Sequence, residues 1–67
     1  MKVESIEIIS NSLKEYRKAR GLTQQDIADL AGVSRKAINE LEQGKDTIEF
    51  KIVLKVLAVT DLELTLQ

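Results

Sequence analysis

Hydrogen-bonding side chains are concentrated in the short segment SRKAINE, between Ser34 and Glu40. Arg35 and Lys36 supply donors, Asn39 supplies both donors and an acceptor, and Glu40 supplies acceptors. Arginine or lysine can donate to guanine O6 and N7, asparagine can form two hydrogen bonds with adenine, and glutamate can accept from cytosine N4. The chemistry available to this segment is therefore the recognition of base edges, and the residue types alone do not select among these pairings.

The residue types on which most enzymes and metal sites depend are missing. The chain contains no histidine and no cysteine, which excludes disulfides and thiolate zinc sites. It also has no glycine-rich phosphate loop and no carboxylate cluster with EF-hand spacing. Asp26 and Asp29 are three residues apart, and helix capping and solvation explain both. We therefore expect no enzymatic activity, no metal and no cofactor.

Capping signals place the polar segment at the start of the second of two short helices. Thr23 can accept a backbone N–H from the first turn of one helix, and Gly32 can adopt the positive φ that ends it. Ser34 repeats the capping signal for a second helix, which ends at Gly44. Each helix has a narrow apolar stripe at spacings of three and four residues. The stripes are Ile27, Leu30 and Ala31 in the first helix, and Ala37, Ile38 and Leu41 in the second.

The junction between these helices is short and contains a glycine, in Ala31-Gly32-Val33. Two helices joined by such a turn form a helix-turn-helix, whose second helix, the recognition helix, enters the DNA major groove. An αα-hairpin in a small helical bundle has the same periodicity, so the pattern alone leaves both interpretations open.

Particular residues favour the first interpretation: Leu13, Arg17, Lys18, Gly21-Leu22-Thr23-Gln24, Ile27-Ala28, Ala31-Gly32-Val33-Ser34, Ile38 and Leu41-Glu42-Gln43-Gly44. In these residues the chain resembles the lambda-repressor-like (Cro/XRE) helix-turn-helix family. Its C-terminal segment KVLAVTDLELTL is similar to the helix-then-strand ending of HipB-type antitoxins. Asp61 departs from that pattern, because many relatives carry glycine there.

The resemblance implies roles for individual side chains. Gln24 is expected to contact a DNA phosphate and to orient the recognition helix, although it could also be a solvated first-turn residue. Lys45 either contacts a phosphate or keeps the loop soluble. Arg17 and Glu42 are expected to form a salt bridge between the first and third helices, a structural role. The complete predicted DNA surface consists of Gln24, Ser34, Arg35, Lys36, Asn39, Glu40 and Lys45.

The distribution of charge also favours DNA. The net charge is −1, which alone argues against a phosphate-binding surface. Residues 14–45, however, carry seven basic and five acidic side chains, a net charge of +2, whereas residues 1–13 carry −1 and residues 46–67 carry −2. The positive charge therefore lies in residues 14–45, the segment that contains the helix-turn-helix, although an ordinary solvated surface remains the alternative.

The flanking sequence predicts a first and a fourth helix. Ser5 can cap a first helix that ends at Gly21, after an extended arm over residues 1–4, with a short strand near Val3 as the alternative. A fourth helix is expected to begin at Thr47 or Glu49. The apolar residues predicted to face inward are Ile6, Ile8, Ile9, Leu13 and Tyr16 in the first helix, and Phe50, Val53, Leu54 and Leu57 in the fourth.

The C-terminal leucines alternate with polar residues. Leu62, Leu64 and Leu66 have the period of a half-buried strand over residues 62–66. A lone strand must pair, and the simplest partner is the same strand of a second copy in an antiparallel ribbon. A fifth helix is the alternative.

The sequence thus predicts a mainly α, four-to-five-helix lambda-repressor-like DNA-binding domain over residues 1–67, with the helix-turn-helix at 23–43. A chain of 67 residues buries only about 60% of its unfolded surface, which favours a homodimer. No apolar run or signal peptide indicates a membrane, so we expect a cytoplasmic protein.

The expected function is sequence-specific repression at a near-palindromic operator in double-stranded DNA. The HipB-like ending implies an autoregulating antitoxin of a HipBA-like toxin–antitoxin module that binds a HipA-type kinase toxin. A stand-alone regulator, a phage repressor, a restriction-modification controller, and a protein-interaction module that uses the helix-turn-helix only as a scaffold remain alternatives.

Overall fold

Residues 3–60 are described by a computed structural model, with side chains from Ile6 onward. This part of the chain forms four helices and no strand: α1 (Val3–Ala19), α2 (Gln24–Ala31), α3 (Arg35–Glu42) and α4 (Phe50–Val59). The mainly helical fold is confirmed for these residues. The predicted strand at 62–66, with Leu62, Leu64 and Leu66, lies outside the described residues. None of the helices described is long and apolar enough to cross a membrane.

Local capping explains the boundaries of α2 and α3. The Thr23 hydroxyl accepts from the Asp26 N–H at 3.0 Å, and the Asp26 carboxylate accepts from the Thr23 N–H at 2.8 Å, which completes a capping box. Gly32, with φ of 71°, ends α2 in the left-handed region. The Ser34 hydroxyl accepts from the Ala37 N–H at 3.1 Å at the start of α3. The predicted N-caps of both helices and the role of Gly32 are therefore confirmed, whereas α3 ends at Glu42, with Gln43 as its C-cap, before the predicted end at Gly44.

The core lies where α3 packs against α1 and α2, and where α4 closes over α2. The hydrophobic cluster at its centre is entirely aliphatic, and burying one of the larger side chains stabilises the fold by about 1.5–3 kcal/mol. Its members are Ile9, Leu13, Ile27, Ala28, Ile38, Leu41, Val53 and Val56. Tyr16, Leu22, Ala31, Val33, Ile48 and Leu57 pack against this cluster from its margin.

The start of α1 differs from the prediction. The helix already includes residues 3–5, so Ser5 lies within it rather than at its N-cap, and residues 3 and 4 are not part of an extended arm. The prediction of helix over strand is confirmed. Ile8 is 63% exposed, because Ile9 and Leu13 define the buried face and consecutive residues are rotated by about 100° around a helix.

The buried faces of α2 and α4 also correct the prediction. Leu30, Phe50 and Leu54 were expected in the core, but 59%, 50% and 49% of their respective surfaces are exposed. In α4 the buried residues are Val53, as predicted, and Val56, which was not predicted. Because α4 (FKIVLKVLAV) is apolar on nearly all sides, several overlapping stripes have helical spacing, and only packing against α2 selects one of them.

Candidate nucleic-acid interface

The first turn of α3 presents positive charge to solvent. Arg35 and Lys36 are both exposed, and this turn contains no acidic residue. Ile38 and Leu41, on the opposite side of α3, are completely buried. The free N–H groups at a helix N-terminus add further positive potential. The exposed start of α3 is therefore suited to an anionic partner, and its buried side fixes the orientation of the helix.

An ion pair braces α3 against α1. Arg17 Nε lies 2.8 Å from Glu42 Oε2, and Arg17 Nη2 lies 3.0 Å from Glu42 Oε1, so the guanidinium engages both carboxylate oxygens. Arg17 Nη1 also donates to the carbonyl of Leu22 at 3.2 Å. The structure thus contains the ion pair that the sequence resemblance implied, and its forked geometry fixes the angle between the two helices.

The surroundings of this pair raise the pKa of Arg17. Glu42 is only 4% exposed and Arg17 is 18% exposed. The hydrogen bonds to Glu42 raise the pKa of Arg17 above its ordinary value, and they outweigh the burial that acts to lower it. Arginine is charged throughout the neutral range with or without this shift, so the raised pKa reflects the strength of its hydrogen bonds to Glu42.

Ser10 forms a second connection between α1 and the end of α3, which the sequence analysis did not anticipate. The buried Ser10 hydroxyl donates to the carbonyl oxygen of Glu42, one of the last carbonyls of α3, which have no partner within the helix. The signal available in the sequence was a small polar residue between Ile9 and Leu13 on the inward face of α1. Both the side chain and the backbone of Glu42 are thus attached to α1.

Gln24, the first residue of α2, extends this network to α3. Its Nε2 atom lies 3.3 Å from Glu42 Oε1 and 3.4 Å from Asn39 Oδ1. Both distances are long for hydrogen bonds, so each contact is weak alone. Together they place the side chain predicted to contact a phosphate beside a residue predicted to read bases.

The remaining predicted charges lie toward the C-terminal end of α3. Lys45 Nζ is 3.7 Å from Glu40 Oε2, and the two side chains are 49% and 32% exposed. Exposed pairs of this kind contribute about 0–1 kcal/mol, so DNA phosphates can compete for Lys45.

Comparison with known proteins identifies the domain that carries this surface. A profile described as helix-turn-helix matches residues 13–67, which include α2, α3 and α4. The chain belongs to the Cro/XRE-type helix-turn-helix family. This is a family of DNA-binding domains rather than of enzymes, which confirms the prediction that the chain is not an enzyme.

Three relatives are described as uncharacterised HTH-type transcriptional regulators. One, from Methanocaldococcus jannaschii, is 42% identical over 48 residues, covering 72% of this chain and 73% of the relative. YqaE of Bacillus subtilis is 33% identical over 57 residues, which cover 85% of this chain and 49% of the relative. A third, from Methanothermobacter thermautotrophicus, is 46% identical over 33 residues, which cover 49% of this chain and 48% of the relative. The chain thus spans about half the length of the last two relatives.

In helix-turn-helix terms, α2 is the supporting helix and α3 is the recognition helix. The structure brings four predicted residues into one connected group: Arg17, Gln24, Asn39 and Glu42. Arg35 and Lys36 are separate from that group, on the exposed first turn. No group of side chains in residues 6–60 is suited to holding a metal ion.

Proposed function

We propose that this helix-turn-helix protein is a sequence-specific transcriptional regulator that represses by occupying an operator in double-stranded DNA. One observation carries the proposal: the first turn of α3 exposes Arg35 and Lys36 while the Arg17–Glu42 pair fixes the helix from behind. The names of the three relatives support it, since each is described as an HTH-type transcriptional regulator.

Each side chain of the proposed surface has a role that its position supports. With the start of α3 in the major groove, Arg35 and Lys36 reach guanine O6 and N7, and Glu40 reaches cytosine N4. Phosphate contacts come from the backbone N–H of Gln24 at the start of α2, from Ser34 and from Lys45, and these set the position of the domain on the duplex without reading sequence.

Selection of duplexes from a random pool, followed by titration of the enriched sequence, tests this function. We expect wild type to enrich one motif, and Arg35→Ala to weaken binding to it without lowering the melting temperature. Lys55→Ala, which removes an exposed charge from α4, is the control and should leave affinity unchanged. A wild-type protein that enriches no motif even at low salt would contradict the proposal and favour a protein-interaction module.

The regulator is proposed to act as a homodimer. Phe50 and Leu54 lie one turn apart on α4, and each exposes about half of its surface. Three leucines that alternate with polar residues follow α4 in the sequence, and we propose that they add to the same contact with a second copy. Two recognition helices related by a two-fold axis would then read half-sites about 34 Å apart on a near-palindromic operator.

A finer proposal is that this repressor is the antitoxin of a HipBA-like module and binds a HipA-type kinase toxin. It rests on the similarity of the segment KVLAVTDLELTL to the ending of HipB-type antitoxins. Affinity purification from the native cell tests it. A kinase-like protein that co-purifies in stoichiometric amount supports the antitoxin role, whereas its absence favours a stand-alone or phage-type repressor.

A further inference from the structure

We infer that Gln24 fixes the amide polarity of Asn39, so that Asn39 presents its Nδ2 donor to the DNA groove and Gln24 acts as a specificity-determining positioning residue. This inference rests on the proposed function. It assigns to Gln24 a role distinct from a phosphate contact, because it concerns which base is preferred rather than how tightly all sequences bind.

The polarity of the network originates at Glu42. Its ionised carboxylate can only accept hydrogen bonds, and Arg17 holds it in one orientation through both oxygens. The atom of Gln24 that lies 3.3 Å from Glu42 Oε1 must therefore be the amide nitrogen. If the amide oxygen and nitrogen of Gln24 were exchanged, the amide oxygen would face Glu42 Oε1. Both atoms are acceptors, so no hydrogen bond could form between them.

That orientation determines the next amide. Gln24 Nε2 has two hydrogens and no acceptor capacity, so the Asn39 atom 3.4 Å away must be Oδ1. Asn39 Oδ1 is then held on the α2 side, and Nδ2 lies on the opposite side of the amide. Asn39 is half-buried, on the same helix as the exposed Arg35 and Lys36. Its Nδ2 donor has no hydrogen-bond partner within residues 6–60, so it is available to a ligand of that surface.

The groups suited to this donor are acceptors in the major groove, namely guanine O6 and N7, adenine N7 and thymine O4, whereas cytosine offers only its N4 donor. Without Gln24, the Asn39 amide could rotate and present either atom. Base preference at the operator position that Asn39 contacts would then broaden, while the preferences read by Arg35 and Lys36 would remain.

The experiment compares motifs enriched from random duplexes by wild type, Gln24→Met and Gln25→Met. Gln25 is the matched control, because its amide contacts only the exposed Asp29 on the same helix. The operator position that Asn39 contacts is located first. It is the position at which Asn39→Ala removes the base preference. At that position we expect Gln24→Met to reduce the ratio of preferred to second base by about fivefold or more, and Gln25→Met to leave it unchanged.

Asn39→Asp provides a second variant. One carboxylate oxygen can still accept from Gln24 Nε2, but the outward Nδ2 donor is replaced by an acceptor oxygen. The preference of this variant should move to cytosine, which offers the N4 donor. A Gln24→Met protein that keeps its base preferences but binds every sequence more weakly by the same factor would overturn the inference. Gln24 would then act only through a phosphate contact. An unchanged preference in Asn39→Asp would also overturn it. A wild-type protein that enriches no motif would overturn the proposed function as well.

Discussion

Ser10 and Glu42 are 32 residues apart in the chain, yet the Ser10 hydroxyl donates to the Glu42 carbonyl in the protein interior. The same glutamate receives Arg17 on its side chain. The end of the recognition helix is thus attached to α1 through both its backbone and its side chain, whereas its start faces solvent. The polar contacts that attach α3 to α1 therefore lie at its C-terminal end, and they add to the packing of its buried side.

Replacing Ser10 with alanine should destabilise the domain by about 1–3 kcal/mol, because a buried carbonyl loses its donor. Thermal denaturation followed by circular dichroism measures this as a lower melting temperature. Ser12→Ala is the control, since Ser12 is a less buried serine on the same helix, and it should change stability by no more than about 0.5 kcal/mol. Equal melting temperatures for the two variants would show that the Ser10 hydrogen bond contributes nothing.

Arg17→Ala should destabilise the domain by about 3–5 kcal/mol, because it leaves the Glu42 carboxylate buried and unpaired. DNA affinity should fall in parallel, at temperatures where the variant begins to unfold. Arg17→Lys should recover only part of the stability, since an ammonium group cannot engage both oxygens in a fork.

The control for Arg17 is Lys18→Ala, an exposed charge on the same helix, which should change neither stability nor affinity appreciably. If Arg17→Ala lost DNA binding while its melting temperature and helicity remained at wild-type values, direct contact with DNA would replace the scaffold role.

Lys45→Ala should weaken binding uniformly across sequences and reduce the slope of log affinity against log salt by about 0.9, the value for one phosphate contact. Lys51→Ala is a closely matched control, because Lys51 is also an exposed lysine beside a glutamate, with Nζ 3.3 Å from Glu49 Oε2. Fluorescence anisotropy at several salt concentrations gives both slopes. Identical slopes for the two variants would exclude Lys45 from the phosphate contacts.

Leu54→Lys should convert the proposed dimer into a folded monomer, because it places a charge on the exposed apolar face of α4 without disturbing a buried site. Light scattering gives the molar mass, and circular dichroism checks the helicity. Ile8→Lys, at an exposed position on α1, should leave the dimer intact.

Deletion of residues 62–67 tests the other part of the dimer proposal. We expect a monomer, since the tail leucines form the proposed ribbon between copies. A truncated chain that remains dimeric would rule out the ribbon as the main contact, and a Leu54→Lys chain that remains dimeric would rule out the α4 face.

Features encoded locally were predictable from sequence, whereas those set by packing were not. Thr23 and Ser34 cap their helices through contacts within three residues, so the boundaries of α2 and the start of α3 followed from short segments. The rotation of α4 depends on its neighbours, which is why Leu54 was wrongly placed in the core. The contact of Gln24 with Asn39 joins two helices at an angle that no local pattern specifies.

The separation between the exposed start of α3 and its buried side has an evolutionary consequence. Within residues 6–60, Arg35 and Lys36 lie on the surface and belong to neither the core cluster nor the ion-pair network. Substitutions at these two positions are therefore expected to cost little folding free energy. Under the proposed function they would alter the preferred operator, so that single mutations could give access to new target genes. Asn39, which shares contacts with Gln24, is expected to diverge more slowly and in step with it.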